Sequence, residues 1–206
     1  MTKHHVIISG TGRAGTTFLV QLLTELGLHT GFPDPVSSVF ANCNAGMEWD
    51  IRRPDAPYIV KNPRLCDSLD ALVRDGGIVI DRAIIPVRNL YAAAESRRDV
   101  TRRAGHTLSG GEIPGGLWQT DDPVQQEHSL AVQFHELLHT IAKHDIPVTL
   151  LYFPRFVHDP LYLFEKLACV LSGTTYERFL EGFGRVVRPE LVHDFRVDGS
   201  ASEGTE

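Results

Sequence analysis

The stretch Val6-Ile7-Ile8-Ser9-Gly10-Thr11-Gly12-Arg13-Ala14-Gly15-Thr16-Thr17-Phe18-Leu19 decides the fold predicted for this chain. Its β-branched start is typical of a buried parallel strand, and the three glycines that follow allow the backbone to turn tightly. Apolar residues then recur at helical spacing from Phe18 to Leu26. A strand, a glycine loop and a helix N-terminus favour an anion site, because free N–H groups and the positive end of the helix dipole face the loop.

The glycine loop differs from the phosphate loop of nucleotide triphosphatases at its most informative position. That motif reads G-x-x-x-x-G-K-[ST], whereas residues 10–17 read G-T-G-R-A-G-T-T. Thr16 stands where the lysine belongs, and the basic residue of the loop is Arg13. A triphosphatase without that lysine would lose its main charge on the β- and γ-phosphates. A P-loop kinase for small molecules, or another nucleotide-binding protein, is therefore kept only as an alternative function.

The pattern G-x-x-R-[SA]-G-T-T resembles the 5′-phosphosulfate loop of the sulfotransferases, which use 3′-phosphoadenosine 5′-phosphosulfate (PAPS). That family also carries an arginine at a strand end and a serine eight positions later, as Arg88 and Ser96 do here. The resemblance implies a P-loop-like, sulfotransferase-type architecture, with the arginine and serine on the 3′-phosphate. It assigns cofactor binding to Gly12, Arg13, Ala14, Gly15, Thr16, Thr17, Arg88 and Ser96.

A lysine and two carboxylates join Arg13 as candidate catalytic residues. Lys61 opens K-N-P-R, which resembles the K-[DN]-P-R stretch that many bacterial sulfotransferases carry at the second strand end. Cytosolic animal sulfotransferases have a histidine base two residues after such a lysine, and Pro63 stands at that position here. The base is therefore expected to be a carboxylate from elsewhere in the chain. Asp34, in the loop after the first helix, is the first choice. Glu48, in a stretch similar to N-x-x-G-x-x-E, is the second.

The reaction that the resemblance implies is transfer of a sulfuryl group from PAPS to a hydroxyl of a small-molecule acceptor. Arg13 and Lys61 would neutralise the charge that develops, and Asp34 or Glu48 would take the acceptor proton. The product of the cofactor would be adenosine 3′,5′-bisphosphate. No metal is expected at the sulfuryl group.

Alternating strands and helices predict one α/β domain over residues 1–193, with a parallel central sheet covered by helices on both faces. In such a sheet the ligand lies at the carboxyl ends of the strands. Residues 105–123 are expected to form a mobile loop, a candidate lid, and 194–206 a disordered tail. Strands after the first are expected at 58–61, within 78–87 with 83–87 favoured, and at 148–153. Helices are expected at 65–74, 90–103, 124–143, 160–171 and 176–184.

Composition favours a single globular domain. The chain has 206 residues, 42% apolar and 22% charged, which is enough for one sizeable core. The formal net charge of −6 argues against a broad nucleic-acid surface. The N-terminal stretch is expected to be neither a signal peptide nor a membrane span. Widely spaced Cys43, Cys66 and Cys169 fit no metal or redox motif, so we expect reduced thiols and a cytoplasmic location.

One rival motif lies on the predicted helix 124–143. His135-Glu136-Leu137-Leu138-His139 is a literal H-E-x-x-H, the zinc-peptidase signature, and residues four apart share a helix face. No third ligand follows at metzincin spacing, because position 145 is Asp145. A polar flank beside a buried apolar stripe accounts for the same residues. A zinc peptidase is therefore the least favoured function.

Overall fold

The structure is a computed structural model that describes residues 2–40, 43–104, 113–193 and 195. Within these ranges helices separate the strands of the main sheet along the chain, as the sequence predicts. The elements are β1 (Lys3–Ile8), α1 (Thr16–Glu25), β2 (Val39–Phe40), β3 (Ala45–Gly46), β4 (Ile59–Lys61), α2 (Leu65–Arg74), β5 (Ile78–Val87), α3 (Leu90–Ala104), α4 (Gln126–Lys143), β6 (Val148–Tyr152), α5 (Arg155–His158), α6 (Pro160–Leu167) and α7 (Tyr176–Val186).

The main sheet has four parallel strands in the order β4-β1-β5-β6. The strands β4 and β5 follow β1 in this sheet but pair with opposite sides of it. The direction of the connections therefore reverses at β1. In open parallel sheets such a reversal leaves a crevice at the carboxyl ends of the strands, where ligands bind.

Helices cover both faces of this sheet, which confirms the predicted α/β class. Successive residues of a strand point to opposite faces, so Val6 and Ile8 pack on one side of β1 and Ile7 on the other. The core around Val6 and Ile8 includes side chains from α1, α5, α6 and α7. The core around Ile7 includes side chains from α2, α3 and α4.

The strand β5 is longer than its most favoured part suggested, and it continues through Pro86. The carbonyl of Ile84 accepts a hydrogen bond from the amide of Ser9 (3.2 Å), so even-numbered residues face β1 in the part of β5 that follows the register shift. Pro86 is the next even-numbered residue, and β1 has already ended at Ile8. The missing N–H of the proline therefore removes no sheet hydrogen bond.

Other departures from the sequence prediction are local. The antiparallel pair β2–β3 and the short helix α5 were not predicted, because two to four residues carry no periodic signal. The helix α4 starts at Gln126 after a 3-10 turn at Pro123–Gln125. The predicted tail, Phe195 apart, and residues 105–112 of the predicted lid lie outside the described residues. No helix in the described ranges is long and apolar enough to cross a membrane.

The imidazole of His5 makes the stability of this sheet dependent on pH. His5 is 2% exposed, its Nδ1 lies 2.8 Å from the carbonyl of Pro57, and its Nε2 has no partner among the described residues. Burial lowers the pKa of His5. The unfolded chain therefore binds a proton at a pH where the folded chain does not, and the free energy of unfolding falls as pH drops below about 6.5.

We expect His5→Asn to flatten this fall, because asparagine can still donate to Pro57 and does not titrate. Urea unfolding at several pH values between 7 and 5 measures it. The exposed His128 offers a control, since His128→Asn is expected to leave the slope of the wild type unchanged. If the free energy of unfolding has the same slope against pH in wild type and His5→Asn, then His5 binds protons equally in the folded and unfolded chains.

Candidate functional site

A cavity of about 870 Å³ lies at the carboxyl ends of β1, β4 and β5. Its lining includes residues of the glycine loop, the β2–β3 hairpin, residues 61–64, Arg88, the middle of α3, the segment 113–118 and the range 185–193. Basic side chains outnumber acidic ones in this lining. The cavity is therefore a locally cationic site in a chain whose formal net charge is −6.

The glycine loop bends through backbone conformations that favour glycine. Gly12 and Gly15 have φ of 66° and 79°, and Arg13 between them has φ of 54°, which is uncommon for a residue with a side chain. A Cβ on Gly12 would lie 2.5 Å from Nη2 of Arg97, and one on Gly15 would lie 2.8 Å from the ring of Phe156. Both glycines are thus required by conformation and by space.

The helix α1 begins directly after this loop without a capping side chain. Gly15 is its N-cap residue, no side chain accepts from its first N–H groups, and its first turn holds no acidic residue. Thr16 and Thr17 open the helix, and both line the cavity. The N-terminal N–H groups and the positive end of the helix dipole therefore face the cavity, an arrangement that favours an oxyanion there.

The structure brings Arg13, Arg88 and Ser96 together around the loop. The Nε of Arg13 donates to Oγ of Ser96 (3.1 Å), and its Nη1 donates to the carbonyl of Cys43 (2.6 Å). The Nη1 of Arg88 donates to the carbonyl of Arg13 (2.7 Å), and its guanidinium lies 4.9 Å from the ring centroid of Phe153. Arg88 and Ser96, which lie 75 and 83 positions after Arg13 in the sequence, thus form one cluster with the loop.

Lys61 is a buried cation at the end of β4, 3% exposed. Its Nζ donates to Oε1 of Glu48 (2.6 Å), to Oγ1 of Thr17 (3.1 Å) and to the carbonyl of Gly46. Burial lowers the pKa of Lys61, and the charge of Glu48 opposes this shift. Lys61 therefore links the first turn of α1 to the hairpin and to a carboxylate in the cavity lining.

The two candidate carboxylates lie in different surroundings. Glu48 lines the cavity, and its side chain is 40% exposed. Asp34 is absent from the lining, and it accepts hydrogen bonds from the amides of Val36 (2.9 Å) and Ser37 (2.8 Å) and from the Ser37 hydroxyl (2.7 Å). These bonds lower the pKa of Asp34, with the hydroxyl as the largest cause. Asp34 thus stabilises its own turn, and the geometry favours Glu48 as the carboxylate near Lys61.

From the sequence, Arg97 is only one of four arginines of α3 that could add positive potential, with a solvated helix face as the other interpretation. It is 5% exposed, and its guanidinium donates to the carbonyls of Thr11 (2.8 Å from Nη2) and Gly116 (2.7 Å from Nη1). Burial first, and then the charge of Arg13, lower the pKa of Arg97 to about 9. Arg97 lies four residues after Ala93, so the two share a face of α3, and both are buried. This spacing was the sequence signal that could have predicted the burial of Arg97.

The other arginines of α3 form ion pairs instead. Arg98 pairs with Glu95 and Glu127, and Arg102 and Arg103 pair with Asp99. Local carboxylates therefore neutralise these three cations, and they add little positive potential to the cavity.

The H-E-x-x-H motif lies away from the cavity on an exposed face of α4. His135, Glu136 and His139 are all exposed, with the two imidazole rings 6.2 Å apart and nearly parallel. In the described part of the chain, no group of three or more histidine, cysteine, aspartate or glutamate side chains is arranged to hold a metal ion. The three cysteines are free thiols.

Comparison with known proteins adds no identification. No protein-family model matches the chain, and no curated protein matches it either. The chemistry of the site therefore has to be argued from its own geometry. An uncapped helix start, a glycine loop and partly or fully buried cations form a site that can bind a phosphate or sulfate group and stabilise negative charge on its oxygens.

We expect Gly12→Ala to weaken the affinity for inorganic pyrophosphate by about tenfold or more, since Arg97 must move to admit the new methyl group. Gly27→Ala is the matched control: Gly27 also has positive φ, and a Cβ there would meet nothing within 4 Å. Both variants carry roughly 1–2 kcal/mol of backbone strain. Isothermal calorimetry measures the affinities and urea unfolding the stabilities. Equal losses of pyrophosphate affinity in the two variants would mean that backbone strain accounts for the loss. The contact between the new methyl group and Arg97 would then have no effect on binding.

Proposed function

We propose that this chain is a PAPS-dependent sulfotransferase that acts on a hydroxyl of a small-molecule acceptor. The observation that carries the proposal is the hydrogen bond from Arg13 to Ser96 in a cavity that Lys61 also lines. It joins the loop that resembles a 5′-phosphosulfate loop to the serine that the resemblance assigns to the 3′-phosphate. A protein that used its glycine loop only as a tight turn would have no need of this contact.

The donor set fits a nucleotide that carries both a 5′-phosphosulfate and a 3′-phosphate. The loop residues Gly12–Thr17 would hold the 5′-phosphosulfate through N–H and hydroxyl groups. Arg88 and Ser96 would bind the 3′-phosphate. Within the described ranges, Arg13 donates hydrogen bonds to a carbonyl and a hydroxyl and to no carboxylate. An anionic ligand could therefore approach its charge without displacing an acidic side chain.

PAPS, when bound, supplies the sulfuryl group: its sulfur bonds to the acceptor oxygen as the bond to the 5′-phosphate oxygen breaks. Lys61 and Arg13 would stabilise the negative charge that passes to the oxygens of the leaving phosphate. Glu48 would accept the proton of the acceptor hydroxyl. The second product would be adenosine 3′,5′-bisphosphate.

The lining near Glu48 supports an acceptor with an apolar part. Val39 pairs with Gly46, whose carbonyl accepts from Lys61, so an apolar wall adjoins the lysine. Phe40 also lines the cavity and is 55% exposed. A cavity of about 870 Å³ is within the usual range for small-molecule sites.

Adenosine 3′,5′-bisphosphate is expected to raise the melting temperature well above the effect of ATP. At a ligand concentration one hundred times the dissociation constant, binding to the folded state adds roughly 2.7 kcal/mol, a shift of several degrees. Differential scanning fluorimetry without added metal measures both nucleotides. Equal shifts would favour the P-loop kinase, and no shift with the bisphosphate would remove the basis of the proposal.

Glu48→Gln is expected to lower turnover by roughly 10²–10⁴-fold, the usual contribution of a general base. Bisphosphate affinity should change little, since glutamine retains an oxygen that can accept from Lys61. Asp34→Asn is the comparison variant, and we expect turnover within a few-fold of wild type, with a loss of stability from the weakened turn. Release of adenosine 3′,5′-bisphosphate from PAPS in the presence of a phenol measures turnover. A loss in Asp34→Asn beside a near-normal Glu48→Gln would reverse the assignment.

A further inference from the structure

Two arginines hold carbonyl oxygens of the glycine loop. The carbonyl of Thr11 accepts from Nη2 (2.8 Å) and Nε (3.3 Å) of Arg97, and the carbonyl of Arg13 accepts from Nη1 of Arg88 (2.7 Å). In a trans peptide the C=O and the following N–H point in opposite directions. The N–H groups of Gly12 and Ala14 are therefore turned away from the guanidinium groups that hold the preceding carbonyls.

This orientation matters for an anion, because carbonyl oxygens that faced it would repel it. A concave run of N–H groups binds phosphate or sulfate only when the carbonyls of the same peptides point outward. Arg97 reaches the loop from α3, a different element, and the missing Cβ of Gly12 makes room for its Nη2. Within the described residues its hydrogen-bond acceptors are all main-chain carbonyls.

The same guanidinium also fixes a wall of the cavity. Its Nη1 donates to the carbonyl of Gly116 (2.7 Å), and its Cζ lies 5.0 Å from the ring centroid of Trp118. The hydroxyl of Thr101 accepts from the amide of Leu117 (2.8 Å), which holds the backbone of the wall against α3. Arg97 is therefore hydrogen-bonded to both the glycine loop and the wall segment 113–118.

We propose that Arg97 is a positioning residue that turns the N–H group of Gly12 in the glycine loop toward the anion and couples the loop to the wall at Trp118. The inference rests on the proposed function only in the identity of the ligand, since any phosphate or sulfate group in the loop would depend on it. Arginine suits this role because its rigid planar fork holds two carbonyl groups in a fixed relative orientation, whereas the freely rotating ammonium of lysine imposes none.

Trp118 provides the first test, because the chain has only one other tryptophan, Trp49. In a Trp49→Phe background, saturation with adenosine 3′,5′-bisphosphate or inorganic pyrophosphate is expected to change the Trp118 emission, as Arg97 adjusts to the charge in the loop. Calorimetry on the same samples shows that the anion is bound. Unchanged emission with either anion bound would overturn the coupling.

Arg97→Lys is the second test, and Arg98→Lys is its matched control on the same helix, since Arg98 pairs with carboxylates instead. We expect Arg97→Lys to weaken pyrophosphate and bisphosphate binding by about ten- to a hundredfold and to abolish the Trp118 response. Arg98→Lys should change neither. Circular dichroism at a temperature well below the melting point confirms that both variants are folded. If Arg97→Lys does not fold, the emission test with Arg97 intact decides the proposal.

The outcomes separate this inference from the proposed function. Wild-type binding of bisphosphate that persists unchanged in a folded Arg97→Lys would overturn the role of Arg97 and leave the sulfotransferase proposal standing. Pyrophosphate binding that depends on Arg97, without any binding of bisphosphate, would support the role and count against a PAPS enzyme. No anion binding in the wild type would overturn both.

Discussion

The close contacts beside the glycine loop are the constraint on which the site depends. The position of a Cβ on Gly12 is taken by Arg97 of α3, and that on Gly15 by Phe156 of α5. The loop is therefore fixed by two helices that lie on opposite faces of the sheet and are far apart in the sequence. Its shape follows from the assembled fold, and it lies at the edge where the strand connections reverse.

Burial of cations opposes folding unless other groups compensate for the lost hydration. Burial lowers the pKa of Arg13, Lys61 and Arg97, and in each case it is the largest cause. Lys61 has the carboxylate of Glu48 beside it, whereas the two arginines donate to carbonyl and hydroxyl oxygens. Neutral acceptors satisfy the N–H groups but leave the positive charge in place. The uncompensated positive charge of such a site would attract an anion. Binding of that anion would then stabilise the folded chain.

The sequence was sufficient for the elements that local patterns encode. Periodicity and glycines predicted β1, the loop and α1, and the strand ends placed Lys61 and Arg88 at one edge. Burial of Arg97 could not be read from residue type, because a charge run on a helix is usually solvated. The choice between Asp34 and Glu48 had the same limit. The hairpin that places Glu48 at the cavity consists of two-residue strands, and spacing along the sequence does not predict such short elements.

The overall charge of the chain and the charge of its cavity have opposite signs, and distance decides which one a ligand experiences. Salt screens charges beyond about 10 Å at ordinary ionic strength, so most of the net charge of −6 is not felt inside the cavity. Arg13 and Lys61 act at contact distance and are partly shielded from water, where screening is weak. The cavity would therefore attract a small anion more strongly than the outer surface attracts an extended polyanion. This difference supports the proposal of a nucleotide-sized ligand.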